Sequence, residues 1–214
     1  MSKEEAKSVV VIVAHPDDET LWAGGEILLH PSWHWFIISL CRKNDAKRAP
    51  NFYKVLKELN ANGTMGDLDD GPEQTPLDEA EVEEAILSML PPIHFDRIMT
   101  HNPNGEYTRH RRHEETSKAV ILLWKDGKIA TDELWTFAYD DGHKNHNVIA
   151  NANAPVYTQL PEAICLHKYN IITNTYGFDT NSWEAKNTPT KEAFWKFSNP
   201  TDAMNWLENG GVIV

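Results

Sequence analysis

The sequence predicts an α/β protein built on an open, mostly parallel sheet with helices on both faces. Two apolar runs, VVVIVA at residues 9–14 and HWFIISLC at residues 34–41, have the composition of strands buried on both faces of a parallel sheet. Segments of helical character follow them, so strand and helix alternate through the first 125 residues, the pattern of right-handed crossovers. The chain has 214 residues, 41% of them hydrophobic, with eight Trp. A chain of that length buries roughly 70% of its unfolded surface, which excludes disorder and predicts one domain over residues 1–214.

The elements follow in order. Residues 20–29 read as a helix opening after an Asp-Glu-Thr cluster suited to a helix N-terminus. Residues 52–61 set Phe52, Leu56 and Leu59 at helical spacing and end at Asn62-Gly63, which reads as a C-cap. Thr75-Pro76-Leu77-Asp78 predicts the start of a helix that continues through Met89 and stops at Pro91-Pro92. Residues 95–100 form another short strand and residues 114–124 another helix, while residues 133–139 alternate as an edge or antiparallel strand. Residues 162–174 and 191–209 read as two late helices, the second broken near Pro200. Gly24-Gly25 has neither GK[ST] nor GxGxxG beside it, so it predicts close helix–sheet approach rather than a phosphate loop.

Lys and Arg number 20 against 32 Asp and Glu, a net charge of −12. Nine of those carboxylates fall in residues 67–84, which contain no Lys or Arg. Such a chain lacks the clustered cations of a general nucleic-acid binder. The acidic segment is expected to lie away from the ligand crevice. The opening MSKEEAKS is charged, and the apolar run after it is too short for a signal core or a membrane span. A cytoplasmic protein without a membrane span is the expectation. Cys41 and Cys165 form no CxxC pair and no disulfide framework.

In open α/β sheets the ligand crevice lies beyond the carboxyl ends of the strands. There the first strand leads into His15-Pro16-Asp17-Asp18-Glu19. The strand at 95–100 leads into His101-Asn102-Pro103-Asn104-Gly105-Glu106-Tyr107 and on to His110-Arg111-Arg112-His113. Residues i and i+3 of a first helical turn point the same way, so His15 and Asp18 can converge, with Asp17 set to the side. A His/Asp pair with one further His is a normal three-ligand set for a catalytic zinc, leaving the fourth position for water. The metal lowers the pKa of that water, and a carboxylate outside the ligand set can take its proton. Each cluster alone has a plainer reading: acids complementing a helix dipole, and histidines solvated at a helix start. Their coincidence at two strand ends of one sheet favours a metal, although spacing does not choose which three residues bind.

Ala14-His15-Pro16-Asp17-Asp18-Glu19-Thr20-Leu21, followed by Gly24-Gly25, resembles the AHPDDE-T-L-x-x-G-G signature of the PIG-L/LmbE-like deacetylases. The stretch from Thr100-His101-Asn102-Pro103 through Gly105-Glu106-Tyr107 to His110 and His113 resembles that family's later histidine block. The resemblance covers residues 8–125 and implies a Rossmann-like fold. It also implies a zinc-dependent removal of N-acetyl groups from N-acetylglucosamine derivatives. It makes His15, Asp18 and His113 the metal ligands and Asp17 the general base acting on a zinc-bound water. His110 becomes the group that stabilises the oxyanion or protonates the leaving amine. The implied cofactor is Zn²⁺, with another divalent metal allowed. The implied partner is a small-molecule N-acetyl sugar conjugate, and a homo-oligomer is left open.

Three departures stand out. Arg111-Arg112 replace the family's Pro-Asp; one extra residue, Thr108 or Arg109, lies between Tyr107 and His110; and Lys54 and Lys57 stand near the family's Arg and Glu. Lys54 is therefore a candidate substrate-binding cation. Arg42 is another, from the Arg42-Lys43…Lys47-Arg48 cluster after the second strand, which reads as a solvated loop or as a crevice cluster meeting an anionic substituent of the substrate. Arg109, Arg111 and Arg112 add positive charge at the crevice. Two alternatives accompany this reading: a metal-dependent esterase or phosphoesterase, and a non-catalytic carbohydrate-binding homologue. Of the other histidines, His101 reads as a partner that orients a ligand or as a structural strand-end residue. His143 and His146 mark a loop that could hold an accessory metal, and His167 reads as helix packing.

Overall fold

The computed structural model describes residues 5–107 and 109–211. The first half alternates β1 (Ser8–Val13), α1 (Asp18–Leu29), β2 (His34–Cys41), α2 (Arg48–Glu58), β3 (Asn62–Leu68), α3 (Glu79–Met89), β4 (Phe95–Thr100) and α4 (Arg111–Lys125). Then come β5 (Thr131–Phe137), the short strands β6 (Tyr139–Asp140) and β7 (Ile149–Ala150), β8 (Val156–Gln159) and α5 (Glu162–Asn170). A π-helical turn (Ile171–Thr175), α6 (Trp183–Lys186), β9 (Lys191–Phe197) and α7 (Pro200–Glu208) follow among the described residues.

Seven strands form one sheet in the order β3-β2-β1-β4-β5-β9-β8. The first five in that order run parallel, and β9 and β8 are antiparallel additions. This is the α/β class the sequence predicts. From β1 the chain winds outward through β2 to β3, then crosses back to β4 and continues to β5. The direction of winding reverses between β1 and β4, which opens the crevice where such sheets bind ligands.

Strand alternation divides the core. Val9, Val11 and Val13 pack with Trp22 and Ile27 of α1 and with Phe52 and Val55 of α2. Val10 and Ile12 face the opposite layer, with Val82 and Ile86 of α3, Val120 and Leu123 of α4 and Trp206 of α7. Both faces of β1 are covered, which explains its unbroken apolar run. No helix among the described residues is long and apolar enough to cross a membrane.

The strand expected at 133–139 as edge or antiparallel is β5, which lies inside the sheet, antiparallel to β9 but parallel to β4. Two further segments differ from expectation. Asn62-Gly63 does not cap α2 but begins β3, an edge strand with the sequence NGTMGDL. Only Met65 of that strand is deeply buried, so no hydrophobic period marks it. Residues 191–197 are not helical but form β9, paired with β5 on one side and β8 on the other. Lys-Glu-Ala at its start has helical propensity, yet Glu192, Ala193 and Phe194 are buried there by the sheet. Glu192 tolerates burial because Lys168 Nζ lies 2.6 Å away, itself buried on α5. His167 beside it is exposed rather than packed.

The Glu192 carboxylate also receives the N–H groups of Gly25 and Glu26, each at 2.7 Å, midway along α1. On the same helix the Trp22 carbonyl accepts the Tyr139 hydroxyl at 2.7 Å. Close approach at Gly25 is what permits this: an added Cβ would lie 2.5 Å from Leu160 and 2.8 Å from Glu192 Cδ. The helix start that carries the site is thereby fixed against the sheet.

Candidate metal centre

His15 and His101 sit just beyond β1 and β4, the two strands that flank the reversal. Asp17, in the turn between β1 and α1, has φ 123°, a left-handed region that non-glycine residues rarely adopt and that costs about 1–3 kcal/mol. Glu19 secures it: one carboxylate oxygen accepts the Asp17 N–H at 3.0 Å. The other accepts the hydroxyls of Thr20 at 2.6 Å and Tyr176 at 2.7 Å. Tyr176 arrives at the end of the π-helical turn, a geometry often found at functional sites. Asp18 is held from both sides, with Oδ1 accepting from Trp22 Nε1 at 3.0 Å and Oδ2 from the His15 N–H at 2.9 Å.

Three donor atoms close a triangle. His15 Nδ1 is 3.2 Å from Asp18 Oδ2, His113 Nε2 is 3.3 Å from His15 Nδ1, and His113 Nε2 is 3.3 Å from Asp18 Oδ2. Ligand bonds of about 2.0–2.1 Å in a tetrahedron place donors about 3.3 Å apart, so these residues fit one divalent metal with a fourth position left open. The far nitrogen of each imidazole meets a carboxylate: His15 Nε2 lies 3.2 Å from Asp70, and His113 Nδ1 lies 2.5 Å from Glu106. Outer carboxylates on ligating histidines are the usual support of such sites.

Among the described residues two overlapping metal-capable groups occur, His15/His110/His113 and Asp18/His101/His113. His101 is closed to a metal because its Nε2 receives the Ala14 N–H at 3.0 Å. His110 stacks on His113 with ring centroids 4.5 Å apart, and its Nδ1 is buried without a hydrogen-bond partner. Burial, followed by the neighbouring His113 and His15, lowers the His110 pKa to about 3, so its ring is neutral. Asp17 moves the other way: burial, then the Asp18 charge, raises its carboxyl to about 8 against the pull of Arg48. Burial opposes the charge on Asp18, yet His113 and His101 outweigh it and hold that carboxyl well below the ordinary range.

A cavity of about 190 Å³ opens on the triangle, lined by His15, Asp17, Asp18, Arg48, Tyr107 and His110 among others. Tyr107 and Trp183, with ring centroids 4.5 Å apart, border both this cavity and a neighbouring one of about 570 Å³ beneath the loop carrying His146.

The structure thus brings His15, Asp17, Asp18, His110, His113 and Arg42 to one cleft. Lys54 stays outside it, exposed on α2 and donating to Asn51 at 3.0 Å; Arg48, nearer the start of the same helix, lines the cleft instead. His143 and His146 join none of the metal-capable groups among the described residues. Thr108 lies outside the described residues.

The acidic segment is not remote, since Asp70 reaches His15 and also accepts from Arg42 Nε at 2.8 Å. Nor is the mouth simply basic: Arg109 pairs with Glu114 at 2.7 Å, and Arg112 pairs with Glu115 at 2.6 Å. Sequence reasoning missed Asp70, one acid among nine, and Glu106, which no periodicity singles out.

No protein-family model matches this chain. Uncharacterized protein L374 of Acanthamoeba polyphaga mimivirus is 25% identical over 181 residues, covering 76% of each sequence. Among solved structures, the conserved protein TT1542 from Thermus thermophilus superposes with a TM-score of 0.59 at 16% identity, over 88% of this chain and 94% of its own. A deacetylase triple mutant involved in the teicoplanin biosynthetic pathway superposes with a TM-score of 0.60 at 14% identity, over 85% and 87%. Likeness at these identities establishes a shared fold. The chain therefore has an α/β fold shared with a deacetylase, and it carries a His/Asp group able to hold a metal ion.

Proposed function

We propose that this chain, acting as one unit over residues 1–214, is a metal-dependent hydrolase that removes the N-acetyl group from an N-acetylglucosamine-type substrate. The donor triangle of His15, Asp18 and His113, with the Asp17 carboxyl beside it and outside the donor set, carries the reading. The deacetylase of shared fold supports it. When bound, a divalent metal, Zn²⁺ in our reading, would polarise the amide carbonyl and lower the pKa of a water. Asp17 takes the proton of the attacking water and returns it to the amide nitrogen as the C–N bond breaks, releasing acetate and the free amine; its elevated pKa suits a group that takes and gives a proton near neutrality. His110, neutral and facing the same cleft, donates a hydrogen bond to the oxyanion as it develops. The closure of His101 by Ala14 supports one metal rather than the bridged pair expected of a phosphoesterase.

A screen of N-acetylglucosamine derivatives against acyl and phosphate esters, with added Zn²⁺, tests the reading. Amide turnover is expected, and Asp17→Asn should lose about 10²–10⁴-fold in kcat while retaining metal. Preference for phosphate esters, or full activity in metal-loaded Asp17→Asn, would sink it.

A further inference from the structure

Glu106 takes no step in the reaction above, yet it is fully buried between the two halves of the donor set. Its Oε2 meets Nδ1 of His113 at 2.5 Å and Nδ1 of His101 at 3.0 Å, while its Oε1 accepts the Asn102 N–H at 2.8 Å. The two imidazoles stack with centroids 3.8 Å apart and planes 19° from parallel. A backbone N–H can only donate, so the Ala14 contact makes His101 Nε2 an acceptor and puts the ring proton on Nδ1, facing Glu106. An ionised carboxylate can only accept, so His113 also carries its proton on Nδ1 and presents the Nε2 lone pair towards Asp18 and His15.

We propose that Glu106 is the positioning residue of the metal centre, a role that rests on reading the donor triangle as a metal site. It sets the tautomer and ring orientation of His113. Through His101 and the Ala14 N–H it also ties β4 to the end of β1 that carries His15. One buried carboxylate thus registers two ligands that lie 98 residues apart in the chain.

Glutamine cannot replace it. An amide with its oxygen towards the imidazoles turns its NH₂ against the Asn102 N–H. The flipped amide donates to both Nδ1 atoms and forces the His113 proton onto Nε2, where it blocks the metal.

The test measures Zn²⁺ affinity by competition with a chromophoric chelator, beside the thermal stability of the metal-free protein. Glu106→Gln should weaken Zn²⁺ binding about 10–100-fold, with one site still filled at saturation. A variant that loses stability but binds Zn²⁺ as tightly as the parent overturns the proposal. If Glu106→Gln does not fold, ¹⁵N-histidine NMR of the unaltered protein decides. The expected signature is a protonated Nδ1 on both His101 and His113, with His113 Nε2 shifting on Zn²⁺ addition; ligation through His113 Nδ1 overturns it. Absence of Zn²⁺ binding by the unaltered protein removes the metal reading and this proposal together, whereas unchanged affinity in Glu106→Gln removes only the role of Glu106.

Discussion

Arg48 Nη1 lies 2.9 Å from Asp17 Oδ2, and the same nitrogen donates to the Pro16 carbonyl at 3.1 Å. The guanidinium also rests over the Phe178 ring, 4.5 Å from its centroid. One side chain therefore holds both the carboxyl and the preceding backbone of a residue at an unfavourable φ.

Replacing Arg48 by Met should move the pH profile in a definite direction. Arg48 lowers the Asp17 pKa, so its loss raises that pKa further above about 8. More of the base is then protonated at neutral pH, and the acid limb of kcat/KM shifts to higher pH. A profile that keeps its acid limb in place while KM alone rises would mean that Arg48 contacts substrate instead of tuning Asp17.

How much of this was legible in the sequence depends on what each residue does. The buried parallel strands announced themselves, because β1 and β2 are apolar on both faces. His15, Asp17, Asp18, His110 and His113 stood out because they cluster at strand ends. Glu192 and Lys168 could not be read that way: each looks like a solvated helical charge until the other is brought beside it from 24 positions away. Asp70 was hidden for a related reason, since its partner His15 comes from another strand end and its neighbours in sequence are also acids. Motif position singles out Lys54, yet Lys54 lies exposed on α2, and Arg48 six positions earlier lines the cleft.

Zn²⁺ should stabilise the protein by mass action. At a free concentration 100 times Kd the gain is about 2.7 kcal/mol, which for a chain of this size raises Tm by roughly 5–10 °C. Thermal scans with Zn²⁺ and then a chelator should show the gain and its reversal. His113→Ala should abolish the shift, while Lys54→Ala should preserve it. An unchanged shift in His113→Ala would remove that residue from the ligand set.

Acid should destabilise the metal-free protein partly through Glu106. Burial opposes its charge, but His101 and His113 outweigh burial and lower the pKa from 4.5 to about 2. Between those values the unfolded chain binds the extra proton. The stabilisation is therefore complete above about pH 5 and fades as pH falls towards 2. Urea unfolding across this range should show a shallower decline for Glu106→Gln than for the parent. Equal slopes would place the acid sensitivity elsewhere.

Gly25→Ala is the sharpest test of how α1 is seated. The added methyl would meet Leu160 at 2.5 Å and Glu192 Cδ at 2.8 Å. Leu160 can swing aside at modest cost. Glu192 cannot, because its two oxygens hold Lys168 and the N–H groups of Gly25 and Glu26. In an open helix Ala would stabilise relative to Gly by up to about 1 kcal/mol. Here the overpacking term should win, with a net loss of about 1–3 kcal/mol in denaturant unfolding. The same displacement should tilt the first turn of α1, which bears Asp18, so Zn²⁺ affinity should fall along with stability. Gly24→Ala is the control: its methyl would find ordinary contacts at 3.5 Å with Lys168 and Thr20, so it should leave Zn²⁺ affinity at the parent's value and keep the helical gain of up to about 1 kcal/mol in stability. If the two substitutions behaved alike, the seating of α1 on Glu192 would not be what fixes the site.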